Sequence, residues 1–371
     1  MPEAKRIELA LQGGGAHGAY TWGVLDRILE DPRVEIAAIS GTSAGAMNGA
    51  VLADGLVRGG QEGARAALHD FWRAVSDAAR FSPIRRSPID VLMGRWSLDT
   101  SPGFIAMDLL SRVASPYDLN LWNVNPLRDL VERHVDFDNV NACSAAKLFV
   151  TATNVRTGLP RVFRQGEITL DAVMASACLP SMYKAVEIDG EAYWDGGYVG
   201  NPALHPLVDE SDCRDLVIVQ INPIRRDDIP TSAAEIANRL NEITFNSALI
   251  KELRAITLLR RLIEAEGIET ERFRDMRLHR IGGQGLEHFS ASSKLNAEWA
   301  YLTHLRELGR AAAEEWLAAN AEAIGVRSTF DPETLFQGTV RDPAEPPEAT
   351  PAPRGRRRAA EAGSPEPETK A

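Results

Sequence analysis

Three cysteines in 371 residues, Cys143, Cys178 and Cys213, are too few and too far apart for a disulfide framework, and no Cys-x-x-Cys pair offers a zinc site. That usage fits a reducing compartment. Missing too is any run of roughly 18 uncharged apolar residues, so no membrane span is expected. Residues Met1–Arg6 lead directly into Ile7–Leu11, without the apolar core and cleavage site of a secretory signal. The expected location is cytoplasmic. Cations are in the minority, 41 Lys+Arg against 52 Asp+Glu for a net charge of −11, and only the short run Arg354–Arg358 is strongly basic, which argues against nucleic acid as the partner. What remains, 44% hydrophobic and 25% charged residues, is the composition of a folded globular protein.

Short apolar runs alternate with helical spacing, which predicts an α/β fold with a mainly parallel sheet covered by helices. Strands are expected at Ile7–Gln12, Glu35–Ser40, Lys147–Asn154, Pro160–Arg164, Val186–Tyr193 and Leu216–Asn222, and near Arg277–Ile281. Helices are expected at Ala16–Leu29, Ala44–Leu56, Leu170–Cys178, 233–266 and 293–323. From Phe81 to Val124 the pattern loosens. Trp96, Phe104, Met107, Leu109, Leu110, Tyr117 and Trp122 crowd there among prolines and glycines, as either a satellite cluster or a lid over an apolar substrate. Residues 341–371 hold seven of the 21 prolines and balanced charge, so a catalytic domain over 1–340 and a disordered tail over 341–371 are expected. The arginines of that tail would give an anionic membrane a peripheral contact, unless the tail is simply solvated.

Gly13-Gly14-Gly15-Ala16-His17-Gly18 follows a strand and opens a helix, the context of a dinucleotide fingerprint. The acidic residue that would hold the ribose is absent, however, because the second strand ends in Ser40-Gly41, and no Gly-Lys-Ser/Thr follows for a P-loop. The glycines still present N–H groups at a helix N-terminus, which suits an oxyanion. At the end of the second strand stands Gly41-Thr42-Ser43-Ala44-Gly45, the spacing of a nucleophile elbow: Gly41 and Gly45 leave room for a strained turn that exposes Ser43 and aims the Ala44 N–H at a tetrahedral oxyanion. The plain alternative is a serine capping a helix. A serine nucleophile needs a base. One candidate is Asp195 in Trp194-Asp195-Gly196-Gly197-Tyr198, otherwise an ordinary Asp-Gly turn; the other is a histidine, with His205, His279, His288 and His304 available. Only one strand precedes the elbow's own strand, which departs from the usual α/β-hydrolase order.

The glycine loop, the elbow and Asp195-Gly196-Gly197, in this order, resemble the patatin-like phospholipases. The likeness covers about residues 7–223, including Asn125–Asp129, Ala152–Asn154 and Ala175–Pro180; the helical part at about 233–325 is less diagnostic. It implies a three-layer α/β/α fold and hydrolysis of carboxylic esters in lipids or other apolar acyl substrates. It further implies a Ser–Asp dyad falling on Ser43 and Asp195, an oxyanion hole of Gly13, Gly14, Gly15 and Ala44, with Gly18, Gly41, Gly45, Gly196 and Gly197 as motif glycines, and neither metal nor cofactor. An acyltransferase or polyester depolymerase with the same dyad, and a lipid-binding protein without turnover, are the alternatives. One departure stands out: the family often carries Arg or Lys where this chain has His17, so a charge there would depend on pH, and a structural role is expected for that residue.

Overall fold

Aliphatic and β-branched runs form the strands, and the resulting sheet defines the molecule. The computed structural model describes residues 4–267, 274–283 and 285–336. The chain divides into a unit of residues 1–332 and a second of 333–371, of which only 333–336 are described; the proline-rich segment expected over 341–371 lies outside the described residues.

From the N-terminus, strand β1 (Lys5–Leu11) leads through the glycine loop to helix α1 (Gly18–Leu29), and β2 (Val34–Gly41) leads through the elbow to α2 (Ala44–Ala78). Five short helices follow: α3 (Pro88–Leu92), α4 (Pro102–Ser111), α5 (Pro116–Leu119), α6 (Pro126–His134) and α7 (Phe137–Ala142). Next come β3 (Lys147–Asn154), β4 (Pro160–Arg164), α8 (Leu170–Ser176), β5 (Val186–Ile188), β6 (Glu191–Asp195), α9 (His205–Glu210) and β7 (Asp215–Gln220). The C-terminal part adds α10 (Ala233–Glu266), β8 (Arg277–Gly282) and α11 (Trp299–Asn320).

The strand order is β5-β6-β3-β2-β1-β7-β8, with β4 paired to β3. Strands β3, β2, β1, β7 and β8 are mutually parallel, whereas β4, β5 and β6 join by antiparallel pairing. Because side chains alternate across a strand, Ile7, Leu9 and Leu11 enter one core with Trp22, Leu25 and Leu305, while Ala10, Leu216 and Ile218 are buried outside that cluster. The sheet is therefore covered on both faces. Asp26 of α1 ties the first layer together, accepting hydrogen bonds from Arg65 of α2 and from Arg306 and Arg310 of α11.

Two departures from the sequence pattern have clear causes. The second helix does not end near Leu56 but resumes beyond a break at Gly59 and Gly60, where Gly60 takes φ +62°, and runs to Ala78. Residues 81–124 are not a loop. Pro88, Pro102 and Pro116 each start a helix, where a missing N–H costs nothing and φ is already helical. A serine precedes each of them; the Ser87 hydroxyl accepts from the Asp90 N–H at 3.1 Å and Ser101 from Phe104 at 3.4 Å.

Candidate active site

Ser43 lies between the end of β2 and the first residue of α2 with φ +55° and ψ −121°, a conformation that non-glycine residues rarely adopt. Close packing imposes it: a Cβ on Gly45 would come within 2.2 Å of the Leu11 carbonyl oxygen, so only glycine lets the elbow press against the end of β1. The Ser43 side chain makes no capping hydrogen bond, which removes the helix-cap alternative. Its backbone N–H donates to Ser176 Oγ at 2.9 Å, and Ser176 in turn donates to the Thr151 carbonyl at 2.6 Å. Residues of α8 and β3 thus hold the strained turn through its backbone.

Asp195 reaches this turn through sheet geometry. Strand β3 pairs with β4 along Phe149–Thr153, so its other edge is shared by β2, which ends opposite Val150, and by β6, whose Asp195 sits opposite Ala152. The C-terminal ends of β2 and β6 therefore meet head on. Asp195 is fully buried, with its N–H on the Cys178 carbonyl at 2.8 Å and its own carbonyl accepting from Thr153 Oγ1 at 2.7 Å. Oδ1 accepts the Gly197 N–H at 2.7 Å, as an Asp-Gly turn would have it, while Oδ2 has no fixed partner among the described residues. Burial pushes this carboxyl up to about 7, against the Gly197 N–H, the neighbouring Ser43 hydroxyl and the positive charge of Lys294.

The glycine loop lies against the elbow, since a Cβ on Gly13 would stand 2.6 Å from that of Ser43. Its donors are not equivalent. The Gly13 N–H is committed to Asn201 Oδ1 at 2.6 Å, and the Gly13 carbonyl accepts from Asn222 Nδ2 at 2.8 Å. Gly13 therefore lines the site with its N–H already engaged. Among the described residues the N–H groups of Gly14 and Gly15 have no protein partner, and Ala44 adds its own as the first residue of α2. Gly18 packs on Ala44 and Trp72, and Gly196 lies beneath the Thr151 carbonyl. Beneath the loop, Gln12 Oε1 accepts from the Ile221 and Asn222 N–H groups, and its Nε2 donates to Asn246.

The histidines stand elsewhere. His279 is enclosed between Thr329 and Asp215, His205 lies beside Glu252, His304 stacks on Trp96 and His288 is exposed next to Glu287. His17 is buried and held far toward the neutral form, at about 3, by desolvation and by the charges of Lys294 and Arg226. Ser293 gives its proton to the Ser290 carbonyl, so it accepts from His17 Nε2 at 2.8 Å, which fixes the tautomer. The ring is therefore neutral around pH 7 and contributes no charge there.

The patatin-like phospholipase family profile matches residues 9–208. The chain belongs to the patatin-like phospholipase family. Membership makes it a lipid acyl hydrolase in the general sense. No curated protein sequence matches it. Among solved structures, VipD from Legionella pneumophila is similar at 15% identity and a TM-score of 0.41, covering 86% of this chain and 67% of that one. The heterodimeric ExoU-SpcU complex from the type III secretion system of Pseudomonas aeruginosa is similar at 16% identity and a TM-score of 0.28, covering 91% of this chain and 66% of that one. The patatin-like chain has no helix, among its described residues, long and apolar enough to cross a membrane, and no cluster of His, Cys, Asp and Glu able to hold a metal ion.

Proposed function

We propose that this patatin-like protein hydrolyses carboxylic esters of phospholipids or lysophospholipids through an acyl-enzyme on Ser43, with Asp195 as the base. The observation that carries the reading is the strained, uncapped Ser43 set against a buried carboxylate with one oxygen unspent. Asp195 takes the hydroxyl proton as Ser43 Oγ attacks the acyl carbon, and the N–H groups of Gly14, Gly15 and Ala44 receive the oxyanion. Collapse expels the alcohol, which leaves with the proton held by Asp195; a water, deprotonated by the same carboxylate, then releases the fatty acid. No step calls on a metal ion.

The strap of residues 81–124 supports a lipid surface as the place of work. It is anchored at one end by the Leu98 N–H on Ser292 Oγ and by Arg86 on Glu298, next to the turn that holds His17. Its other end is anchored by Tyr117 and Leu121 on residues 184–185, in the loop that follows Ser176. It thus runs between the two structures that flank Ser43, and it leaves Phe81, Leu92 and Trp122 almost fully exposed. Residues 80–95 hold four arginines to one aspartate, the buried Asp90, with Arg86 paired to Glu298, in a chain of net charge −11. Apolar side chains beside local positive charge suit peripheral contact with an anionic bilayer.

A fluorophosphonate probe is expected to label the wild type at Ser43, and Ser43→Ala to fold, escape labelling and release no fatty acid from a cellular lipid extract analysed by mass spectrometry. Labelling at another residue, or fatty acid release by the variant, would overturn the assignment.

A further inference from the structure

A cation from the C-terminal third of the chain stands against the glycine loop, and neither the family match over 9–208 nor the acyl-transfer scheme uses it. Lys294 belongs to the 3₁₀ turn Ala291–Leu295. That turn lies directly on the glycine loop. Gly15 has φ +59°, and a Cβ there would come within 2.4 Å of the Lys294 carbonyl oxygen, while the adjacent Ser293 holds His17. The Lys294 ammonium donates to Asn222 Oδ1 at 2.8 Å, and the same Asn222 donates through Nδ2 to the Gly13 carbonyl. Nζ also stands 6.0 Å from the centroid of the Phe245 ring, which covers Gly197 beside the Asp195 carboxylate. One of the three ammonium N–H groups is thereby used, and no second acceptor is found among the described residues.

We propose that Lys294 is a positioning residue of the acyl-transfer site: seated through Asn222 against the Gly13–Gly15 loop, its ammonium supplies the fixed positive charge that balances the Asp195 carboxylate and keeps it able to accept the Ser43 proton. The proposal rests on the reading of Ser43 and Asp195 as nucleophile and base. The charges that face the ammonium are Asp195 from β6, Glu242 from α10 and Arg226 from the segment after β7; His17, on the glycine loop, is neutral. Burial brings Lys294 down to about 8, and its charge in turn lowers Asp195. A working site therefore needs Asp195 ionised and Lys294 protonated, a condition met only in a narrow band around pH 7 to 8.

The test is the pH profile of kcat/KM on p-nitrophenyl butyrate, a soluble uncharged ester, for the full chain and for Lys294→Met and Lys294→Arg. The wild type is expected to give a bell with limbs near 7 and 8. Lys294→Met is expected to lose the alkaline limb, to move the acid limb upward by about one unit, and to lower kcat at neutral pH roughly tenfold with KM little changed. Lys294→Arg should restore activity and carry the alkaline limb beyond pH ~10, because a guanidinium stays protonated there. Should Lys294→Met fail to fold, the displaced limb of Lys294→Arg decides. A Lys294→Met profile that keeps both limbs, or a Lys294→Arg profile superimposable on the wild type, would overturn the proposal while phosphonate labelling at Ser43 persisted. Absence of that labelling in the wild type would instead overturn the dyad, and this proposal with it.

Discussion

Asp195 can act alone as the base only if no histidine relays the proton, and the packing of the individual histidines makes that testable. Asp195→Asn is expected to cut turnover of a soluble ester at least about a thousandfold, close to the loss in Ser43→Ala, because nucleophile and base act as one unit. His205→Ala, His288→Ala and His304→Ala should each stay within about tenfold of the wild type, the equivalent of about 1.4 kcal/mol. His279→Ala is expected to lower the melting temperature while the folded fraction keeps its turnover, because that ring fills a sealed space between Asp215, Thr329 and Trp316. A folded histidine variant as inactive as Ser43→Ala would restore a triad. At this scale the arrangement of the candidate site was legible where spacing along the chain carries it, at Gly41, Ser43, Gly45 and Asp195. It was illegible where a polar side chain arrives from elsewhere. Nothing local marks Ser176 as the acceptor for the Ser43 N–H, Asn201 as the group that takes the Gly13 N–H, or Asn222 and Lys294 as parts of the loop's support. The only signals were positional, Gln12 directly before the glycines and Asn222 just past the end of β7.

Among the elements, patterns of periodicity located strands well and breaks in strands poorly. The run Val186–Tyr193 reads as one strand but folds as a hairpin, turning at Asp189 (φ +52°) and Gly190 (φ +78°), an Asp-Gly pair of the kind two-residue turns require. Glycine misled in the opposite direction in α2, where Gly59 and Gly60 interrupt the helix without ending it. The strap was obscured because its pattern loosens among prolines, three of which, Pro88, Pro102 and Pro116, open helices. Its function can be separated from that of the site. Leu92 and Trp122 are each 88% exposed, so Leu92→Asp/Trp122→Asp removes no packing. Transfer of such side chains into an apolar phase is worth about 1.5–3 kcal/mol each. The double variant is therefore expected to lose tenfold or more in hydrolysis of anionic phospholipid vesicles, with soluble-ester turnover unchanged within twofold. Equal losses on both substrates would show that the strap shapes the site rather than meeting lipid.

For the molecule as a whole, stability carries a charge penalty inside the sheet. Glu8 of β1 is fully buried, neither carboxylate oxygen has a hydrogen-bond partner among the described residues, and desolvation pushes the group up to about 8 despite Ser211 and Arg274 nearby. A carboxyl raised in the folded state binds its proton more tightly there than in the unfolded chain. Its contribution is therefore intact below its ordinary value of 4.5 and is lost as pH rises toward 8. Urea denaturation between these limits should show wild-type stability falling by about 1.4 kcal/mol per pH unit more steeply than that of Glu8→Gln. Parallel pH dependences would show that Glu8 is ionised in the native state. The seating of the Ala291–Leu295 turn on the Gly13–Gly15 loop has a consequence for biosynthesis. A chain emerging from the ribosome has made Ser43 and Asp195 before Lys294, so the proposed nucleophile and base exist for a time without the turn that packs on the Gly13–Gly15 loop. If Ser43 and Asp195 act together as proposed, a ribosome-stalled chain ending before Ala291 is expected to turn over p-nitrophenyl butyrate more slowly than the released full chain.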